Sequence, residues 1–316
     1  MLYLRDNMMD FVYLAIGLVT VILGGEFLLR SAVSASNRLN IPRIIVGMTI
    51  VSFATSLPEL ITSIRAAVDG YADLSVSNVV GSNIANLGFV LGLVLLFGQF
   101  TVQKSFYKSD WPILFSASVL LLLFVLDGQV NRLEGIILVS GLFAFIVYLI
   151  KFKSYDIQEG FKTNKMKWSM IVLLTVLGSM GLSFGSQWLV NGAVGIARTF
   201  QVSERIIGIT LISIGTSLPE LVASIIAVIK KEQGISIGNL IGSNIFNIFT
   251  VLGITAIIQP LNIVDLKMLD FDIWAMMFFT ILLLPLVFFP KKMKLGWREG
   301  IILLGCYIAY IVITLK

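Results

Sequence analysis

Carboxylate, hydroxyl and amide side chains recur together at two places in a largely apolar chain. Thr49-Ile-Val-Ser-Phe-Ala-Thr-Ser-Leu-Pro-Glu59 is followed by Gly81-Ser-Asn-Ile-Ala-Asn86. The pattern returns as Thr210-Leu-Ile-Ser-Ile-Gly-Thr-Ser-Leu-Pro-Glu220, followed by Gly242-Ser-Asn-Ile-Phe-Asn247. Glu59 and Glu220 supply negative charge. Thr55, Ser56, Ser82 and Asn86 add neutral oxygens, as do Thr216, Ser217, Ser243 and Asn247. Such a set suits a dehydrated hard cation, since Ca²⁺ takes about six to eight oxygen ligands at about 2.3–2.6 Å. Pro58 and Pro219 cannot donate a helical hydrogen bond, so the carbonyls of Ala54 and Gly215 should be freed and the helices kinked. The carbonyls of Ser52 and Ser213 are further candidate ligands. Exposed backbone at membrane depth is tolerated where it lines a polar cavity.

Each element also has a plainer reading. Ser and Thr hydroxyls bond back to their own helix. Gly81 and Gly242 serve close helix packing, and either proline could act only as a kink. The two glutamates could form structural ion pairs, but no Lys or Arg is expected at their depth. Arg65, about six residues outward, is expected to snorkel to the surface. Glu26 differs from them, because Arg30 stands four residues on and explains it as an i,i+4 pair. Asp110, beside Pro112, is expected at a helix start. Trp111 and Trp168 read as interface anchors.

The elements that hold these residues are membrane spans. The chain has 316 residues, of which 57% are hydrophobic and 13% charged. A soluble fold cannot hide that much apolar surface, and many runs reach the roughly 18–20 apolar residues a bilayer requires. Ten helices are expected, at 8–30, 41–68, 74–98, 110–127, 133–151, 168–196, 204–229, 235–259, 271–289 and 297–315. Asp6 and Asp10 are out of keeping with a secretory signal, so the first run is read as a mature helix. Cys306 stands alone, which excludes an internal disulfide, and the chain has no histidine.

Both motif pairs share an offset of 161 residues, as do Gly24 with Gly185 and Gly47 with Gly208. Chance likeness between apolar segments would not hold one register across polar motifs. Residues 1–151 and 168–316 are therefore read as two repeats joined by a loop at 152–167. Five helices per half is an odd number, so the copies must enter the membrane from opposite sides. This is the inverted architecture of many secondary transporters, with a site at the repeat interface near the midplane. Counted along their helices at about 1.5 Å per residue, Glu59 and Asn86 come close to the centre of a core about 30 Å thick. A carboxylate there costs about 2.5–3.5 kcal/mol and marks function by default. Sixteen of the 23 basic residues fall on one set of alternate connections, among them Lys104, Lys151, Lys162, Lys230 and Lys291. That bias places the central loop in the cytoplasm and both termini outside. The positive net charge is thus a topology signal, and no nucleic-acid partner is expected.

With these motifs on the page, the chain resembles the cation/calcium exchanger superfamily, specifically the sodium/calcium exchangers of prokaryotic type. The doubled Thr-Ser-Leu-Pro-Glu and Gly-Ser-Asn segments look like that family's alpha repeats, and the likeness covers essentially the whole chain. It implies electrogenic exchange of Na⁺ for Ca²⁺ across a plasma membrane, with Glu59 and Glu220 at the central site. It assigns Thr55, Ser56, Thr216, Ser217, Ser82, Ser243, Asn86 and Asn247 to the ion ligands. Some relatives carry Asp at the position of Asn247. The Asn here leaves two core carboxylates and weakens a case for K⁺ cotransport.

Two ionised glutamates would be neutralised by one Ca²⁺, whereas Na⁺ ions could occupy the same oxygens. The expectation is alternating access, with the first and sixth helices sliding past a fixed core, in a protein that functions as a monomer. The transported ions are cargo, and no cofactor is expected. A proton/calcium exchanger is the alternative, because a buried Glu can carry protons. A passive cation channel is a further one. No enzyme site can be assembled from these motifs.

Overall fold

A computed structural model describes residues 2–151, 166–202, 207, 211, 213–263, 265 and 267–314, with side chains from residue 9 onward except that of Ser213. The connection expected at 152–167, with Lys153, Lys162 and Lys165, lies outside the described residues but for its last two positions.

The chain is a succession of apolar helices. They are α1 (Leu2–Leu39), α2 (Arg43–Thr55), α3 (Leu57–Val68), α4 (Ala72–Phe97), α5 (Phe106–Val125) and α6 (Arg132–Lys151). The second half holds α7 (Trp168–Thr199), α8 (Leu218–Ile229), α9 (Gln233–Ile258), α10 (Met268–Phe288) and α11 (Trp297–Thr314). Among the described residues, eight are long and apolar enough to cross a bilayer, and α2 with α3 makes a ninth bent by 44°. The expected span at 204–229 is represented by α8 and the short turn Ser213–Gly215, because 203–206, 208–210 and 212 lie outside the described residues.

Several boundaries differ from the sequence expectation, two of them informatively. The first helix continues to Leu39, well past residue 30, because the small side chains beyond the apolar run, Ser31, Ala32, Ala35 and Ser36, are buried by packing. The helix expected from residue 110 includes a wide π-type turn over Phe106–Asp110. Asp110 is therefore inside a helix and fully buried, not at a helix start. Pro112 sits in the first regular turn after it, where its missing N–H is tolerated.

The most buried spans are α4 and α9, with 78% and 83% of their apolar windows covered, against 33% for both α1 and α7. Glycines let α1 and α7 touch backbone to backbone. A Cβ on Gly24 would lie 2.6 Å from the Leu182 nitrogen, and one on Gly185 2.7 Å from the Val21 nitrogen. Asp10 meets Gly195 at one end of the seam and Leu28 meets Gly178 near the other, so the pair is antiparallel. Glu26 pairs with Arg30 at 2.9 Å, as its spacing suggests, and also with Lys230 of the α8 end at 3.2 Å.

Local geometry recurs between the halves. Asn40 and Gln201 both have positive φ, at 53° and 58°. Gly70 and Lys231 do too, at 89° and 63°. Each pair is separated by 161 residues, the offset of the motifs. Short strands tie the halves together. Strand β1 (Phe100–Thr101) pairs antiparallel with β4 (Lys294–Leu295), and β2 (Gln129–Val130) pairs with β3 (Leu261–Asn262).

Candidate functional site

Both glutamate segments break their helix in the same way. Ser56 adopts φ −85°, ψ 3° ahead of α3, and Ser217 adopts φ −93°, ψ 4° ahead of α8. Pro58 and Pro219 then fall in the first turn, where no intrahelical N–H bond is lost. Glu59 and Glu220 share those turns, whose free N–H ends favour negative charge.

The carboxylates come together in the interior. Glu59 is 2% exposed and Glu220 0%. They lie within electrostatic reach of each other. The hydroxyls of Thr55 and Ser56, from the first half, face the Glu220 carboxylate of the second without reaching hydrogen-bond geometry. Among the described residues no Lys or Arg acts on either acid, so the ion-pair alternative has no support there.

The other residues named from sequence divide into two groups. Ser52, Thr55 and Ser243 are buried and belong to a hydrogen-bonded frame. The Ser52 hydroxyl donates to the carbonyls of Gly47 at 2.8 Å and Asn239 at 3.1 Å. Its own carbonyl accepts the Ser56 N–H at 2.9 Å and the Thr55 hydroxyl at 3.3 Å, so both lone pairs are engaged in this conformation. Thr55 also meets Asn239 Oδ1 at 3.2 Å and Ser243 Oγ at 3.3 Å. The second group has no hydrogen-bond partner within the protein. It comprises the hydroxyls of Ser56, Ser82 and Ser217, all four glutamate oxygens, both amide atoms of Asn86, and Asn247 Oδ1. Leaving a buried polar atom unsatisfied costs about 1–3 kcal/mol, more if charged. So many partnerless atoms, nearly all able to accept, on the segments that carry the two carboxylates fit a bound cation. Thr216 is exposed whereas its repeat-mate Thr55 is buried, and the Ser213 side chain lies outside the described residues.

The Ala54 carbonyl is not open, as Pro58 alone would suggest. Ser179 Oγ of α7 donates to it at 2.6 Å. Leu18, the residue 161 positions earlier, has no hydroxyl to do this for Gly215. Ser179→Ala should therefore destabilise the protein by about 1–3 kcal/mol, the cost of an orphaned buried carbonyl. Thermal unfolding in detergent, with Ser179→Thr as a hydroxyl-retaining control, measures this.

Asn78 and Asn239, just ahead of the Gly-Ser-Asn motifs, and Asn83 and Asn244, within them, have no role assigned from sequence. Asn78 Nδ2 donates to Ser63 Oγ at 3.0 Å, and Asn239 Nδ2 to Ser224 Oγ at 3.1 Å. These bonds brace the α3–α4 and α8–α9 hairpins alike. The signal was available, since both residues of each bond recur at the motif offset. Asn83 and Asn244 recur in the same way.

A family model described as sodium/calcium exchanger protein matches residues 9–151 and 170–316. The chain belongs to the sodium/calcium exchanger family. Among curated relatives, the exchanger is 32% identical to the inner membrane protein YrbG of Escherichia coli, over 94% of each chain. It is 28% identical to the sodium/calcium exchanger MaX1 of Methanosarcina acetivorans, over 96% of this chain and 98% of that one. Among solved structures, the sodium/calcium exchanger from Methanococcus jannaschii superposes with a TM-score of 0.82 at 26% identity, covering 97% of this chain and 98% of that one. The exchanger is a multi-pass helical membrane protein of that fold.

Proposed function

We propose that the exchanger carries Ca²⁺ one way and Na⁺ the other through a single site between Glu59 and Glu220. The observation that carries this reading is the meeting of two buried carboxylates among oxygens that lack protein partners. The ion ligands are Glu59, Glu220, Asn86, Asn247, Ser56, Ser82, Ser217 and Thr216, with Thr55, Ser243, Ser52 and Ser213 joining as the helices shift. One Ca²⁺ neutralises both carboxylates. Na⁺ ions on the same oxygens exclude it, so either gradient can drive the other ion.

The architecture assigned here is ten spans in two inverted five-helix repeats, 1–151 and 168–316, around the loop at 152–167. The antiparallel α1–α7 pair, the crossed strand pairs and the recurring positive-φ residues support it. The basic bias of alternate connections supports a plasma-membrane orientation with the central loop inside and both termini outside. Access alternates as α1 and α7 slide along the core of α2–α4, α8 and α9. The glycine seam favours that motion because backbone surfaces meet without interlocking side chains. The unequal exposure of Thr216 and Thr55 suits a state open on one side only.

Purified protein in Na⁺-loaded vesicles should accumulate Ca²⁺, and dissipating the Na⁺ gradient should end uptake. Uptake driven equally by a pH gradient without Na⁺ would favour proton exchange. Single-channel currents without countertransport would mean a channel.

A further inference from the structure

Asn83 stands beside the site without belonging to the ligand set, and its hydrogen bonds fix the orientation of a residue that does. It is 1% exposed. Its Nδ2 donates to the main-chain carbonyl of Asn244 at 3.3 Å and approaches Met276 Sδ at 3.8 Å. A carbonyl can only accept, so this end of the Asn83 amide must be the NH₂. Its Oδ1 therefore faces the other way, where it accepts from Asn247 Nδ2 at 3.1 Å. A carboxamide oxygen cannot donate, so Asn247 must turn its NH₂ toward Asn83 and its oxygen away. That oxygen is buried and has no protein partner. The chain of bonds starts at a main-chain atom, which cannot flip, and settles both amide orientations.

The other half lacks the device. Asn244, the residue equivalent to Asn83, spends its Nδ2 on Leu240 O of its own helix at 2.7 Å. Neither amide atom of Asn86 has a protein partner. Of the two ligand amides, Asn247 is pinned by a hydrogen bond and Asn86 is not.

We propose that Asn83 is a positioning residue for ion binding: it holds the Asn247 amide so that its oxygen, not its nitrogen, meets the cation. This rests on Asn247 being an ion ligand, as argued above. An NH₂ group offers no lone pair to a metal and presents positive charge to it. Half of the rotational freedom of an unpinned Asn247 would thus be unproductive or repulsive.

The test is equilibrium binding of ⁴⁵Ca²⁺ to the full chain in lipid nanodiscs. Asn83→Ala should weaken binding roughly 10- to 100-fold, the usual effect of losing a residue that orients a metal ligand. In an Asn247→Ala background the same change should cost nothing further, since no amide remains to orient. In an Asn247→Asp background it should cost little, because both carboxylate oxygens accept and either orientation presents one. Asn83→Asp keeps the acceptor for Asn247 Nδ2 but cannot donate to the Asn244 carbonyl. It should retain Ca²⁺ binding, and it keeps the proposal testable should Asn83→Ala not fold. An equal loss in all three backgrounds, or loss of binding in Asn83→Asp, would assign Asn83 a purely structural role and overturn the proposal. Unchanged Ca²⁺ binding by Asn247→Ala alone would instead remove Asn247 from the ligand set, and the proposal would fall with that reading.

Discussion

Glu59→Gln and Glu220→Gln should each nearly abolish transport while leaving a folded protein. Glutamine keeps the shape of the side chain but removes one of two negative charges facing a dehydrated divalent ion. Breaking a buried charge pair by removing one partner costs about 3–5 kcal/mol. In Ca²⁺ affinity that is a loss of roughly 100-fold or more. The unliganded protein should respond in the opposite sense. Both carboxylates are buried within electrostatic reach of each other and have no cationic partner among the described residues, so neutralising one relieves desolvation and repulsion. Thermal unfolding without Ca²⁺ should therefore occur at the same temperature as in the parent or higher. The stabilisation that Ca²⁺ confers on the parent should vanish. A variant that lost transport only because it unfolded would fail this comparison.

The second large effect lies away from the ions. Gly24→Leu or Gly185→Leu should stall turnover with Ca²⁺ affinity little changed. At both positions the next helix's main chain occupies the space a Cβ would take, within 2.6 and 2.7 Å. Main chain cannot rotate aside as a flexible side chain can. The helices must separate, and the added side chain then catches against the opposing surface at each step of a slide. Overpacking penalties of about 1–3 kcal/mol on the moving state correspond to roughly 5- to 150-fold slower exchange. Uptake rates in vesicles set beside equilibrium Ca²⁺ binding separate the two quantities. Equal losses in both would mean that α1 and α7 shape the site itself.

The candidate site was legible in the sequence because it is written in polar letters on an apolar ground. Glu59, Glu220, Asn86 and Asn247 stand out in spans where a charge or an amide is costly, and one offset relates them. The breaks at Ser56 and Ser217 follow from the prolines two residues on. What the sequence did not disclose is contact between distant segments. Ser179 reaches Ala54 across 125 positions, and no local pattern announces it. Lys230 joins the Glu26–Arg30 pair from 204 positions away for the same reason. Helix ends were misjudged where lipid is not the deciding solvent. Beyond residue 30, α1 is held by the packing of small side chains such as Ala32 and Ala35, which hydropathy does not register. At Asp110 a π-type turn carries the helix through a position that Pro112 makes look like a beginning. Asn83 was visible in a motif and Asn239 three residues ahead of one, but only the folded hydrogen-bond pattern tells a brace from a ligand.

The claim on which the account turns is that both ions use the same oxygens around the two acids. Ca²⁺ binding to the purified exchanger, titrated with Na⁺ at constant ionic strength, tests it most directly. The account predicts that Na⁺ drives bound Ca²⁺ to zero, that added Ca²⁺ restores it, and that choline does not substitute for Na⁺. Ca²⁺ that stays bound at saturating Na⁺ would place the two ions at separate sites and contradict it.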